Sequence, residues 1–421
     1  MSNKPLRAGI VGLGGRGTGN MTVLLGMEDV TVTAVCDLYT DRMENGARIV
    51  EEKKGTQPFM STNYRDVLQR SDVDVVFVFT SWEVHIEVAI ASMKAGKPAA
   101  IEVGGAYSVN ECWRLVNTFE ETKVPCMLLE NACYVRLEMM LLNMVQQGFF
   151  GELVHMEGGY KHDLRDEVSR GAENRHGRLR NYLNRNCDNY PTHDLGPIAQ
   201  MLNLNRGNRM ISLVSVASKS RGVNTYAQRE GGSIGHLSHV PFAMGDVITT
   251  IIKCAHGETI VLSLDTTLPR AYSRGLCLHG TKAAFLEDNK SLFVDGVHNE
   301  KYHFSFHPWH EQWNNIENYR EQYEHPVWRN FRPDPNESDN THGGTDYLVM
   351  RAFVDSVLNN EPMPIDVYDM ASWMSTSFSG SREAVASSSS TMGAFLSRER
   401  AMDMRWRSPP DRVFPFSPIR V

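Results

Sequence analysis

Three glycines, Gly12, Gly14 and Gly17, spell G-x-G-x-x-G directly after a short apolar run, Arg7 to Val11. In such a turn the first glycine permits a tight bend and the second lets the backbone approach a pyrophosphate. The third lets the following helix pack on the strand. The N–H groups and dipole at the helix start then favour phosphate charge. Asp37 closes the second apolar run, ~20 residues beyond Gly17. A carboxylate there accepts hydrogen bonds from ribose hydroxyls and repels a 2′-phosphate, which points to NAD rather than NADP. Further residues follow the later apolar runs: Trp82-Glu83-Val84-His85, Glu102-Val103 and Glu130-Asn131. In a doubly wound sheet the cofactor lies at the carboxyl ends of the strands, so all three groups should border it.

The elements that must position these residues follow from periodicity. Arg7 to Val11, Thr31 to Cys36, Val73 to Thr80, Pro98 to Val103 and Pro125 to Leu129 read as strands. Val73 to Thr80 is almost uniformly apolar, as a strand buried on both faces is. Helical spacing covers Asp41 to Lys54, Val84 to Ala95 and Val109 to Thr122, and Gly96 sits at a helix C-cap position. Strands alternating with helices predict a Rossmann-type, doubly wound parallel sheet.

After a predicted helix at Tyr134 to Gln147 the rhythm changes. Gly151 to Lys161, Met210 to Lys219, Val247 to Cys254, Glu258 to Thr266, Gly275 to His279 and Ala283 to Leu286 read as strands, with turns at Gly257 and Gly280. Short connections predict a C-terminal α+β domain with a large open, mostly antiparallel sheet. A helix at Leu195 to Leu202 interrupts it. Met350, Phe353, Val354, Val357 and Leu358 form a helical stripe, and Tyr368 to Val385 reads as another helix. Residues 301–340, rich in Trp, His, Asn and Pro, read as an irregular insertion. The division expected is 1–133 for the NAD-binding domain, 134–390 for a substrate-binding, catalytic and oligomerisation domain, and 391–421 for a tail.

The chain has 421 residues, enough for two or three domains at roughly 150 residues each. It is 41% hydrophobic and 22% charged, which excludes global disorder. A net charge of -7 without a basic block argues against nucleic acid as a partner. No apolar run approaches the ~18 residues of a membrane span. No secretory signal precedes the first strand. Seven cysteines lie scattered without a CxxC pair, so a cytoplasmic location is expected and a zinc site is not.

The first domain followed by an open sheet resembles the Gfo/Idh/MocA oxidoreductases over roughly residues 5 to 390. Members of that superfamily usually carry Glu-Lys-Pro where this chain has Glu102-Val103-Gly104, so the lysine that assists proton transfer in its sugar and inositol dehydrogenases is absent. The second domain is similar to one branch. Gly158-Gly159-Tyr160-Lys161-His162-Asp163-Leu164-Arg165, Tyr190-Pro191-Thr192-His193 and Leu195-Gly196-Pro197 resemble glycoside hydrolase family 109. Asn205-Arg206-Gly207, Pro269-Arg270-Ala271-Tyr272-Ser273-Arg274 and His342-Gly343-Gly344 add to the likeness. The family's enzymes are NAD-dependent α-N-acetylgalactosaminidases. The resemblance assigns Arg16, Gly17, Asp37, Trp82, Glu83, Val84, His85, Glu102, Val103 and Asn131 to NAD. It assigns Tyr160, Arg178, Tyr190, Pro191, Thr192, His193 and Tyr272 to the sugar. The chain departs from the pattern at Asp194 and at Cys187-Asp188-Asn189 before the tyrosine.

Most glycosidases flank the scissile bond with two carboxylates, and NAD-dependent ones are exceptions. No isolated carboxylate pair stands out here. The resemblance implies instead that a hydride leaves C3 of the sugar for NAD⁺, giving a ketone that acidifies C2. Loss of the C2 proton expels the C1 group, water adds at C1, and the hydride returns to C3. Such a route needs proton donors and acceptors, for which Tyr160 and His193 are the candidates, with their order of duties open. Free Tyr titrates near 10, so it needs a nearby cation, which Arg178 could supply. The expected partner is a small-molecule or glycan substrate, with no membrane, no metal and a homo-oligomeric state by fold analogy. The alternatives are a sugar dehydrogenase of the same fold and a non-catalytic sugar or NAD sensor.

Overall fold

A computed structural model describes residues 4–298, 312–332 and 339–378. Much of the 301–340 insertion, the run Ser387 to Ser390, the 391–421 tail and the end of the helix expected to reach Val385 lie outside the described residues. The chain divides into two compact units, residues 1–134 with 333–375, and 135–332 with 376–421.

The first unit opens with β1 (Leu6–Val11), β2 (Val30–Cys36), β3 (Phe59–Ser61), β4 (Val75–Val78), β5 (Ala99–Ile101) and β6 (Cys126–Leu128). They form one sheet in the order β3-β2-β1-β4-β5-β6, every pair parallel. Helices α1 (Gly15–Leu25), α2 (Thr40–Lys54), α3 (Tyr64–Leu68), α4 (Trp82–Lys94) and α5 (Val109–Thr122) make the crossovers. This is the doubly wound Rossmann-like sheet read from the alternating pattern. All four residues of β4 are buried, as the unbroken apolar run requires. The short strand β3 was not expected, because Phe59–Ser61 carries no clear period.

The second unit holds α6 (Arg136–Gln146), β7 (Leu153–Lys161), α7 (Arg165–Ser169), α8 (Arg178–Asn184), α9 (Thr192–Met201), β8 (Met210–Ala217), α10 (Gly222–Glu230), β9 (Val247–Cys254), β10 (Thr259–Asp265), β11 (Cys277–Gly280), β12 (Ala283–Leu286) and β13 (Ser291–Val294). The sheet order is β13-β12-β11-β7-β10-β9-β8. Only β7 and β10 pair in parallel; the other neighbours are antiparallel. One face is apolar and covered: Met156, Ile260, Leu262, Leu264, Ile252 and Leu278 are all buried. Helix α9 lies against β7 there. A Cβ on Gly158 would stand 3.1 Å from Ile198 Cδ1 and 3.2 Å from Asp194 Cβ, so the missing side chain permits this close approach. Two short helices, α11 (Arg320–Tyr323) and α12 (Pro326–Asn330), complete the unit.

The chain then returns to the first unit through α13 (Thr345–Asn359) and α14 (Val367–Ser375). Phe353, Val354, Met370 and Trp373 are buried, and Phe353 meets the Phe77 ring edge-on at 5.2 Å. Division at residue 133 places this stretch in the second domain, whereas its apolar stripe packs onto the first. A stripe marks a buried face but not the surface that covers it.

His85 of α4 is fully buried and its Nε2 donates to the Thr80 carbonyl oxygen at 2.9 Å. Burial pushes its pKa down to about 4, against ~6.5 when unfolded. The neutral ring therefore contributes its full stability above pH ~6.5 and loses it as the pH falls toward 4. Between pH 7 and pH 5 the loss amounts to about 2 kcal/mol. Urea unfolding of His85→Gln should show a stability difference between those two pH values smaller by that amount. An unchanged difference would contradict the assignment.

Candidate functional site

The glycine turn of the first unit is built by close backbone approach. Gly12 has φ of 98°, and a Cβ there would sit 2.5 Å from the Phe79 carbonyl carbon and oxygen. A Cβ on Gly17 would sit 2.1 Å from the Gly12 oxygen. Gly14 is different. A Cβ there would make only ordinary contact with the tip of the Arg42 side chain, Nη1 at 3.5 Å, so no backbone crowds this side of the turn. Asp37 is nearly buried; its Oδ2 accepts from Leu13 N at 2.7 Å and its Oδ1 from Tyr39 N at 2.9 Å. The carboxylate thus braces the turn and keeps further lone pairs for hydroxyl donors. These residues fit a dinucleotide.

The other residues assigned to NAD divide by what holds them. Trp82 stands over Gly104, where a Cβ would meet the indole Nε1 at 2.0 Å and φ is 93°. Glycine at 104 is what admits the indole. Val103 is buried, and its N–H donates to Glu102 Oε1 at 3.0 Å. Glu102 also accepts from Asn20 Nδ2 at 2.8 Å and Arg16 Nε at 3.0 Å. Val84 is exposed and Glu83 half-buried, while His85 is sealed beneath, propping the turn at Thr80. Arg16 and Asn131 are both bound to Asp346, which lies 330 positions from Arg16 and carries no local sequence signal linking it to the turn.

In the second unit the residues assigned to the sugar come together. Tyr160, near the end of β7, stacks on Tyr190 with ring centres 4.7 Å apart and planes 21° from parallel. His193, in the first turn of α9, meets both rings edge-on at 5.1 and 4.7 Å. Tyr272 meets the Tyr160 ring at 6.4 Å and is half-exposed. The Arg178 guanidinium lies 5.1 Å from the Tyr190 ring centre and its Nε is 2.9 Å from Glu167 Oε1. Pro191 and Thr192 are buried at the start of α9. Asp188 holds the loop: its Oδ1 accepts from Tyr190 N at 2.8 Å, and burial pushes its carboxyl up to about 7.

His162 belongs to this cluster and was not among the expected site residues. Its Nδ1 is 3.1 Å from Tyr160 Oη, and its ring meets Tyr272 at 5.1 Å. His162 directly follows β7, two residues after Tyr160, and its extended continuation keeps the two side chains on one side. Burial, reinforced by the Arg178 charge, lowers the His162 pKa and keeps its ring neutral near pH 7. Burial raises the Tyr160 phenol above its ordinary value, and the opposing pull of Arg178 does not overcome it. Burial alone would weaken the Arg178 charge, but Tyr190, Glu167 and Tyr160 more than offset that, so its pKa is raised. Near neutral pH the cluster therefore presents a protonated phenol, a neutral imidazole and a firm cation. Among the described residues no group of three His, Cys, Asp or Glu side chains could hold a metal ion. No helix there is long and apolar enough to cross a membrane.

Comparison with known proteins adds to this geometry. Residues 6–129 match the oxidoreductase family, NAD-binding Rossmann fold, and residues 134–395 match the glycosyl hydrolase 109 C-terminal domain. An alpha-N-acetylgalactosaminidase of Tannerella forsythia is 35% identical over 399 residues, 89% of this chain and 83% of that protein. One from Shewanella oneidensis is 36% identical, covering 87% and 80%. Among solved structures, scyllo-inositol dehydrogenase of Lactobacillus casei, with bound NAD(H) and scyllo-inositol, superposes with a TM-score of 0.60 at 14% identity. That match covers 89% of this chain and 96% of the other, and it speaks for the fold alone. The chain belongs to glycosyl hydrolase family 109.

Proposed function

We propose that the protein is an NAD-dependent glycosidase that hydrolyses terminal α-N-acetylgalactosaminides. The observation that carries this reading is the Tyr160, His162, Arg178, Tyr190, His193 cluster in a chain whose family relatives are alpha-N-acetylgalactosaminidases. Val103 at the position of the superfamily lysine sets it apart from the dehydrogenases. Gly12, Gly14, Gly17 and Asp37 would hold the dinucleotide, which supplies reversible hydride exchange at C3 of the sugar.

The chain's own residues handle the protons and the charge. Tyr160 enters with its proton on Oη and can donate it directly. To act as base it must first pass that proton to His162 Nδ1, 3.1 Å away. His193, edge-on to both tyrosines, is the second acid/base candidate. Arg178 stabilises negative charge that develops on the sugar oxygen. Tyr190 offers a ring face, and Tyr272 at the exposed rim a ring and a hydroxyl, to the pyranose. Pro191 and Thr192 fix the start of α9 and so the place of His193.

A homo-oligomer is part of this reading, supported by the sheet face that α9 leaves uncovered. Val214 on β8 pairs with Ile251 on β9, which pairs with Val261 on β10, and the first two are 56% and 47% exposed. Leu286 and Phe293 extend the apolar surface. A cytoplasmic location also belongs to it, from the scattered cysteines.

Aryl α-N-acetylgalactosaminides should release their aryl group without added NAD if the cofactor copurifies, and product formed in deuterated water should carry deuterium at C2. Hydrolysis without C2 exchange would refute the mechanism, and stoichiometric NADH from a free sugar would favour a dehydrogenase. Tyr160→Phe keeps the stacked ring and loses the proton, so kcat should fall by about 10²–10⁴, as should that of His193→Gln. Losses below tenfold in folded variants would remove these residues from proton transfer. Ile251→Lys should convert the oligomer to a monomer in light scattering; a monomeric wild-type protein would contradict the assembly.

A further inference from the structure

The carboxylate of Asp346, at the start of the returning helix α13, is 1% exposed. Its Oδ1 accepts from Arg16 Nη2 at 2.8 Å and Asn131 Nδ2 at 2.7 Å. Its Oδ2 accepts from Arg16 Nη1 at 2.6 Å and faces His342 Nδ1 at 2.9 Å. Arg16 belongs to the glycine turn itself, between Gly14 and Gly17, and its Nε continues to Glu102. Asn131 opens the short helix after β6. One carboxylate thus ties together the start of α1 and the segment after β6, and through Arg16 the end of β5. All three lie at the carboxyl edge of the parallel sheet, where a dinucleotide binds.

We propose that Asp346 is a positioning residue for the dinucleotide: it holds Arg16 and Asn131 so that the backbone N–H groups opening α1 stay aligned for the pyrophosphate. An arginine in the first turn opposes the helix dipole and needs a carboxylate partner. Asp346 grips it with a bidentate fork, the strongest geometry for that pair. Burial would raise the Asp346 pKa, but the bonds from Arg16 and His342 hold the carboxyl well below the usual carboxylate range, so the clasp persists across the physiological pH range. Releasing Arg16 has two opposed consequences. A freed guanidinium, one-third exposed, gains a screened contact with phosphate. Against that, the buried Asn131 amide and the turn lose the acceptor that pre-organises them. Bonds to a charged group outweigh a solvent-screened one, so the net effect is weaker binding.

The test is NADH affinity, measured by fluorescence titration of protein stripped of nucleotide, with melting temperatures recorded with and without NADH. Asp346→Asn should weaken NADH at least tenfold and shrink the NADH-induced rise in melting temperature. A purely structural Asp346 would lower the melting temperature of the stripped protein and leave that rise intact. Arg16→Gln, which removes the other half of the fork from a partly exposed position, should give the same loss. It carries the test alone if Asp346→Asn does not fold. The double variant should be no more than threefold worse than either single. NADH affinity within twofold of wild type in a folded variant, tighter binding, or losses that multiply in the double variant would each overturn the proposal.

Discussion

Taking the Arg178 charge out of water is the constraint around which the sugar-side cluster is organised. A buried guanidinium costs several kcal/mol unless partners replace its hydration. Here Glu167 supplies the opposite charge and the Tyr190 ring supplies a face. Those partners dictate where the surrounding groups go. Tyr190 is pinned by Asp188, Tyr160 stacks on Tyr190, and α9 brings His193 edge-on to both. The same desolvation that must be offset for Arg178 keeps the Tyr160 proton in place. The phenol therefore rests as an acid; in the proposed mechanism the adjacent cation would ease its passage to a base when His162 takes the proton.

Charge withdrawn from water also shapes the first unit. There Arg16 shares its fork with Asp346 and its Nε with Glu102. The family resemblance assigns Arg16 to NAD, and in the structure its guanidinium is engaged by Asp346 and Glu102. The Glu102-Val103-Gly104 stretch has a comparable logic. A side chain at residue 104 would collide with Trp82, and residue 103 is a buried valine. At this position the chain has an apolar contact and an indole.

Much of this architecture is legible in the sequence because the determining signals are local. The unbroken apolar run of β4, the glycine turn and Asp37 lie within one stretch and obey simple periods. The second sheet was readable from alternation along β7, β9 and β10, with bounds at Val247–Cys254 and Ala283–Leu286 that coincide with those expected. Tyr160, Arg178, Tyr190, His193 and Tyr272 are scattered over more than a hundred residues, and their grouping came from resemblance to a family rather than from spacing. His162 was within reach of the two-residue strand period. Asp346 and the docking of Phe353 and Trp373 on the first unit were not, because a helical stripe says that one face is covered without saying by what.

The central claim is that the bond at C1 breaks because the alcohol at C3 is briefly oxidised. Protein stripped of nucleotide and refilled with either redox form tests it most directly, with hydrolysis of an aryl α-N-acetylgalactosaminide as the readout. Refilling with NAD⁺ should restore turnover, and refilling with NADH should leave the protein inactive although the nucleotide is bound. Equal restoration by both forms, or full turnover by the stripped protein, would contradict the account.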